Sequence, residues 1–307
     1  MKIIDKFAYA SFLLICNLLI ISGTVKAAGT DSFSISPPTF DISANPGDSV
    51  KNTIKIQNLS DSQLTLTVKS ENFVAYGEGG QVNLTDNESS YSINQWLHLG
   101  TTQFNIDAHK TYLYDFSILI PLNAEPGSHY GAVVFSNGSP TAQTGSVANV
   151  VQEIGALVLI KIPGAVTEQA SLLSFSPDSQ YFTDPKVNMS ALVENTGGVH
   201  FSITGTITIY DIFGNAVKTV AITSHNVLPG SKRLFTEGFD FEGFGYFNAK
   251  LVMNYSSGTK TLTGETRFTS LNVQRSIPIT LVIIIVGTVL IVFRKRIVKA
   301  VKIIVKG

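Results

Sequence analysis

The chain has 307 residues, with 22 basic and 22 acidic side chains, five histidines and a single cysteine. Its neutrality is uneven: residues 28–276, between two apolar segments near the ends, hold 13 basic against 21 acidic residues, an excess of about eight negative charges that excludes nucleic acid as a partner. Because Cys16 lies inside the first apolar segment, the rest of the chain has no disulfide available and must be held by packed cores.

Lys2 and Lys6 precede the apolar run Phe7 to Ile21, and small residues then lead to Val25-Lys26-Ala27. This order predicts a secretory signal peptide over 1–27, cleaved after Ala27, with an uncleaved signal anchor as the alternative. No small residues precede Cys16, so lipidation is not expected. An exported chain without cysteines fits the envelope of a monoderm-type bacterium, with an archaeal surface as the alternative.

From there the chain alternates apolar and polar residues, the pattern of half-buried strands. Val50, Ile54 and Ile56 share a face, the turn Asn58-Leu59-Ser60-Asp61 follows, and Leu64, Leu66 and Val68 return. A polar, insertion-like stretch from Tyr76 to Tyr91 comes before Ile93-Asn94-Gln95-Trp96. Tyr114, Phe116, Ile118 and Ile120 line another strand, Glu125-Pro126-Gly127 turns into Tyr130 to Phe135, and Asn137-Gly138 ends that strand with hairpin chemistry. A last long strand is expected from Val147 to Ile162. Its apolar run Ile154 to Ile160 suits a strand buried on both faces, or an edge that wants a partner.

Past Pro163-Gly164 the pattern restarts. Val187, Met189, Ala191 and Val193 alternate, as do Ile203, Ile207 and Ile209, then Phe247, Ala249, Leu251, Met253 and Tyr255. KIQNLS around Asn58 and LVENTG around Asn195 read as one turn in two copies. The expected fold is all-β, two tandem immunoglobulin-like β-sandwiches over 28–163 and 164–272.

A second apolar segment, Ile277 to Phe293, has no charge and is bounded by Arg275 and by Arg294-Lys295-Arg296. It predicts a C-terminal transmembrane α-helix over 276–293. The basic tail 294–307 carries six positive side chains and no acid, which places it in the cytoplasm and the acidic stretch outside, in a single-pass membrane protein. A helix lying on anionic lipid is one reading of that tail, a simple stop-transfer signal the other.

No constellation for catalysis emerges. His98, His109, His129, His200 and His225 are scattered, without zinc-ligand spacing, and read as surface or turn residues; no nucleophile elbow, phosphate loop or calcium loop occurs. The expectation is therefore no enzyme, no cofactor and no metal. Tyr76, Tyr91 and Trp96 are the candidate ligand-binding residues, as exposed aromatics that could meet a sugar, although a lone tryptophan in a sandwich is also a natural core residue. Asn-x-Ser/Thr occurs at Asn58, Asn83, Asn87, Asn137, Asn188 and Asn254.

Ser34 to Val68, INQWLHL at Ile93 to Leu99 and IPLNAEPGSHYGAVVFS at Ile120 to Ser136 resemble the peptidoglycan-binding first domain of the WxL-interacting proteins. The layout of signal peptide, two β-sandwiches, one transmembrane helix and a short basic tail is similar as well. The resemblance implies a membrane-anchored surface protein whose first domain binds peptidoglycan and whose second recruits other surface proteins; it assigns no contact residue. The alternatives are an assembly factor resembling the pilus chaperones, lending the apolar edge Ile154 to Ile160 to subunits, and a passive structural stalk.

Overall fold

The structure, a computed structural model, describes residues 32–138, 151–271, 281–288 and 291–294. The predicted signal peptide lies outside these, as does nearly all of the basic tail. Residues 281–288 and 291–294 are helical and expose apolar side chains such as Ile283 and Ile291. Among the described residues no helix is long and apolar enough to cross a membrane; positions 276–280 and 289–290 of the predicted span lie outside them.

The rest is β-sheet. In the first half, β1 (Phe33–Ser36) pairs antiparallel with β3 (Ser49–Asn58), which pairs with β8 (Thr111–Leu119), and β8 with β6 (Leu97–Leu99). The facing sheet runs β2 (Thr39–Ser43), β10 (Glu153–Ile162), β9 (Gly127–Ser136), β4 (Leu64–Tyr76) and β5 (Gln81–Thr85), with β7 (Gln103–Ile106) also on β4. Ile54, Ile56, Leu66, Tyr114, Phe116, Ile118, Phe135 and Ile160 fill the space between them, all at most 3 % exposed. Full burial of each such side chain is worth about 1.5–3 kcal/mol, which is what selects the register in which they all point inward.

The second half repeats this order. β11 (Ala170–Pro177) pairs with β13 (Lys186–Asn195) and β13 with β16 (Lys232–Asp240). Opposite lie β12 (Tyr181–Phe182), β18 (Lys260–Leu271), β17 (Phe244–Tyr255), β14 (Phe201–Tyr210) and β15 (Ala216–Val227). In both halves the chain enters on one sheet and crosses to the other, where a short strand runs parallel to the last one: β2 beside β10, and β12 beside β18. Met189, Val193, Ile203, Ile209, Leu251 and Met253 form its core, separate from the first. Both halves are thus sandwiches with immunoglobulin-like strand order.

Asn58 and Asn195 do the same work in the two copies. Each is fully buried at the end of a strand. Asn58 Nδ2 lies 2.8 Å from the Ser62 carbonyl, 2.9 Å from that of Ile106 and 3.1 Å from that of Asp107, while Oδ1 accepts from the Ser60 N–H and hydroxyl. Asn195 Nδ2 donates to the carbonyls of Val199 and Val227, and its Oδ1 accepts from the Gly197 N–H. Each amide closes the end of its sandwich by satisfying main-chain groups that no strand reaches.

Four expectations need correction. The polar stretch from Tyr76 to Tyr91 is no mere insertion, because its first part forms the hairpin β4–β5, which folds over a small third core. Asn137-Gly138 does end β9, which pairs antiparallel with β10, but not as a tight hairpin turn, since β10 begins only at Glu153; residues 139–150 lie outside the described ones. The apolar run Ile154 to Ile160 is not a free edge: β9 flanks it on one side and β2 pairs with Leu157–Lys161 on the other, leaving Glu153–Ala156 unpaired there among the described residues. His129 and His200 are buried, at 6 % and 0 % exposure, rather than surface residues.

Candidate functional site: a polar groove where the halves meet

The junction between the halves has an apolar and a polar part. Phe73, Tyr130, Ala132, Val134 and Leu159 of the first half form the third core together with Leu228 of the second. The turn of the β4–β5 hairpin reaches β16, where the Glu78 carbonyl accepts from the Leu234 N–H at 2.7 Å. Gly80, at φ +76°, lies so close to the Arg233 guanidinium that a Cβ there would overlap it. Arg233 has no ion-pair partner among the described residues; its Nη1 donates to the Asn226 carbonyl at 3.3 Å, and burial depresses its pKa.

The polar part is a chain of hydrogen bonds from Ser128 through His200 to Asp41. The Ser128 Oγ accepts from the His200 main-chain N–H at 2.6 Å and lies 2.6 Å from the ring Nδ1. Because the Asp41 carboxylate can only accept, Nε2 carries the proton and donates to Asp41 Oδ1 at 3.1 Å, and in the neutral ring Nδ1 then accepts from the Ser128 hydroxyl. The His200 bond is the main reason the Asp41 carboxyl is held below the usual carboxylate range. Asn226 donates to the other Asp41 oxygen and accepts from the Ser202 hydroxyl.

Serine, histidine and aspartate in this sequence of bonds resemble a hydrolytic triad, but the serine and histidine are buried and only the Asp41 side chain, 46 % exposed, meets solvent. Ser128 is 1 % and His200 0 % exposed, so no substrate carbonyl reaches that hydroxyl. Its role is to join the halves.

Beside this network lies a groove of about 390 Å³. The first half contributes Ser90, Tyr91 and the run Glu125-Pro126-Gly127-Ser128-His129; the second contributes Val166, Thr167 and Thr196-Gly197-Gly198. Glycines keep it open. At Gly197 a Cβ would meet the Thr167 main chain, whereas at Gly198 it would meet nothing within 4 Å. The Gly198 N–H donates to the Thr167 carbonyl, and its own carbonyl accepts from the Ser128 N–H, which fixes the wall.

Of the three predicted site residues, Tyr91 lines this groove. Its ring stacks on Tyr130 at 5.4 Å and 11°, and its carbonyl accepts from the Tyr130 N–H at 2.7 Å. Burial, with Tyr91 alongside, pushes the Tyr130 hydroxyl up to about 12. Trp96 does not line the groove: half-buried, it packs on the first core and lies 4.7 Å from the ring of His129, holding from behind a residue that does. Tyr76 stands apart, 58 % exposed on the hairpin, near a second cleft of about 520 Å³ that includes Phe73, Leu157 and Arg233. Two of the segments quoted for the family resemblance therefore touch here: Trp96 of INQWLHL on His129, and Ile93 against Gly131, where a Cβ would come within 2.8 Å of it.

Sequence reasoning missed Glu125, Thr167 and Thr196 as neighbours, and the whole Ser128–His200–Asp41 series. The available signal was the density of glycine and hydroxyl residues in Glu125-Pro126-Gly127-Ser128 and Asn195-Thr196-Gly197-Gly198.

No family model matches the sequence, and no curated protein matches it. Among solved structures the chain is similar to the class 5 fimbriae chaperone CfaA, with 15% identity and a TM-score of 0.39, over 76% of this chain and 99% of that one. The YadV chaperone gives 11% and 0.39, over 77% and 99%. The CsuC–CsuE chaperone–tip adhesion subunit complex of Acinetobacter baumannii gives 13% and 0.36, over 78% and 100%. Likeness of this size assigns the chain no function.

Proposed function

We propose that this chain is a non-enzymatic, membrane-anchored surface protein that binds a cell-wall polymer, peptidoglycan, in the groove between its sandwiches, while its second half recruits surface proteins as the WxL-interacting family resemblance implies. One observation carries the wall-binding reading: Tyr91 forms an aromatic wall facing hydroxyl, carboxylate and main-chain groups contributed by both halves. Sugars and short peptides are bound by this combination, through hydrogen bonds at the rim and ring contact at the wall. Because both halves line the groove, binding requires the intact pair, whereas the sequence alone had pointed to the first domain by itself. The test is co-sedimentation of the full chain, in mild detergent, with insoluble peptidoglycan, beside Gly198→Trp. Gly198 lines the groove, and an added Cβ there meets nothing within 4 Å, so the indole is accommodated without displacing the wall. Wild type should pellet with the wall and Gly198→Trp should stay in the supernatant; equal pelleting of both rejects the groove as the site.

A second reading, strand-mediated assembly of surface subunits in the manner of pilus chaperones, is favoured by one feature. Among the described residues Glu153–Ala156 has no partner strand on the side where β2 covers Leu157–Lys161, a short edge suited to β-augmentation.

A further inference from the structure

The end of the second sandwich remote from the groove is apolar and open. Phe213 is 82 % exposed, Tyr246 73 %, Ile212 71 % and Tyr181 68 %, with Phe244 and Leu271 exposed beside them. Strand register gathers them: Phe244 stands opposite Leu271, while Tyr246 and Tyr181 flank Thr269 from either side. Tyr210, at the end of β14, stands opposite Asn248, and the turn that follows it carries Ile212 and Phe213. Asp211 builds that turn by accepting from the N–H groups of Phe213 and Asn215 and from the Asn215 side chain. Between these residues lies a concavity of about 710 Å³ that Arg267 also lines. Adjacent phenylalanine and isoleucine held out into water by a well-formed turn mark a contact surface.

The path of the chain says what covers it. β18 ends at Leu271 in this same patch, and Ile277, where the predicted membrane segment begins, is six residues on. At about 3.6 Å per residue at most, the two are within ~20 Å of one another. A hydrocarbon core is flanked on each side by a head-group layer about 5–7 Å thick, so even a fully extended link keeps this end of the sandwich within about 15 Å of the head groups. We infer that the patch rests on the lipid surface of that bilayer, Ile212 and Phe213 entering the acyl boundary, Tyr181 and Tyr246 lying at head-group level, and Arg267 facing lipid phosphates. Tyrosine suits that depth because its ring is apolar and its hydroxyl wet. β14 then acts as a spacer: it runs ten residues from beside His200 to Tyr210, about 33 Å at strand rise, and holds the groove that far above the head groups.

This inference rests on the membrane-spanning reading of 277–293, and one experiment separates the two. The full chain is reconstituted into phosphatidylethanolamine–phosphatidylglycerol vesicles with and without lipids brominated near the head-group end of the acyl chain, and compared with Phe213→Trp. Wild type has one tryptophan, Trp96, in the first half, and serves as the reference. Vesicle flotation should carry both proteins, Trp96 emission should be unaffected, and the emission added by Phe213→Trp should fall about twofold with brominated lipid, as expected for an indole at the interface. If both proteins float and the added emission is unchanged, the patch does not touch lipid and the inference is overturned while the membrane-spanning reading stands. If neither floats, that reading falls and takes the inference with it.

Discussion

Replacing Asn58 by leucine keeps the number and branching of side-chain heavy atoms and removes every bond the amide makes. The Ile106 carbonyl loses its donor where it is buried, and the Ser60 N–H loses its acceptor; the Ser60 hydroxyl keeps the Ser62 carbonyl at 3.1 Å, and the part-buried carbonyls of Ser62 and Asp107 can take water. A net hydrogen bond contributes about 1 kcal/mol and a buried group left unpaired costs about 1–3 kcal/mol, so the substitution should cost roughly 3–5 kcal/mol. Against a typical domain stability of about 5–15 kcal/mol that is a large loss. Urea unfolding of the full chain in mild detergent, followed by the emission of Trp96, reads the first half directly. With a slope of about 2 kcal/mol per molar urea the midpoint should fall by about 2 M. A loss below about 1 kcal/mol would refute the argument that this amide closes the sandwich. The same reasoning makes Asn58 a poor glycan acceptor in the folded chain, although Asn58-Leu59-Ser60 matches the acceptor pattern.

Asn195→Leu, with two carbonyls and one N–H affected, should destabilise the second half by about 2–4 kcal/mol and leave the Trp96 transition of the first half the less altered of the two. Asp41 has a folded pKa below its unfolded one, so its stabilisation is present above about pH 4 and lost as pH falls through the lower folded value. Thermal melts across the acid range should therefore show a steeper fall for wild type than for Asp41→Asn. Gly80→Ala combines an unfavourable φ with overlap of Arg233 and should cost about 1–2 kcal/mol, part of it recovered in the double variant Gly80→Ala/Arg233→Ala, measured by the same unfolding curves. In ultraviolet titration of the folded chain one tyrosine should resist ionisation until about pH 12 and be missing from Tyr130→Phe; because the raised pKa favours the neutral form, its contribution to stability is full below about pH 10 and declines as pH rises.

What the sequence reveals follows what local periodicity can encode. Val187 to Val193 and Phe247 to Tyr255 alternate because one face of each strand points into a core, and the structure buries those residues. The twin turns at Asn58 and Asn195 were legible as matching segments, since each acts mainly on groups near its own turn. β15 gave no such signal: most of its residues are exposed, and an edge strand with little to bury keeps little alternation. The Ser128–His200–Asp41 series joins residues 72 and 159 positions apart, a proximity set by how two sandwiches dock rather than by any spacing. Tyr91 could be named as an aromatic in a polar stretch, but its stack on Tyr130 exists only once that stretch folds back over β9. Trp96 carried two readings at once, and it lies between them, packed on the core yet supporting a groove residue.

Amide hydrogen exchange of the full chain, with and without soluble peptidoglycan fragments, tests the central claim most directly, since it reads where the polymer sits. The account predicts slowed exchange at Tyr91, at Gly127 to His129 and at Thr196 to Gly198 together, and none at Glu153 to Ala156. Protection confined to Glu153–Ala156, or no protection at saturating fragment, would contradict it.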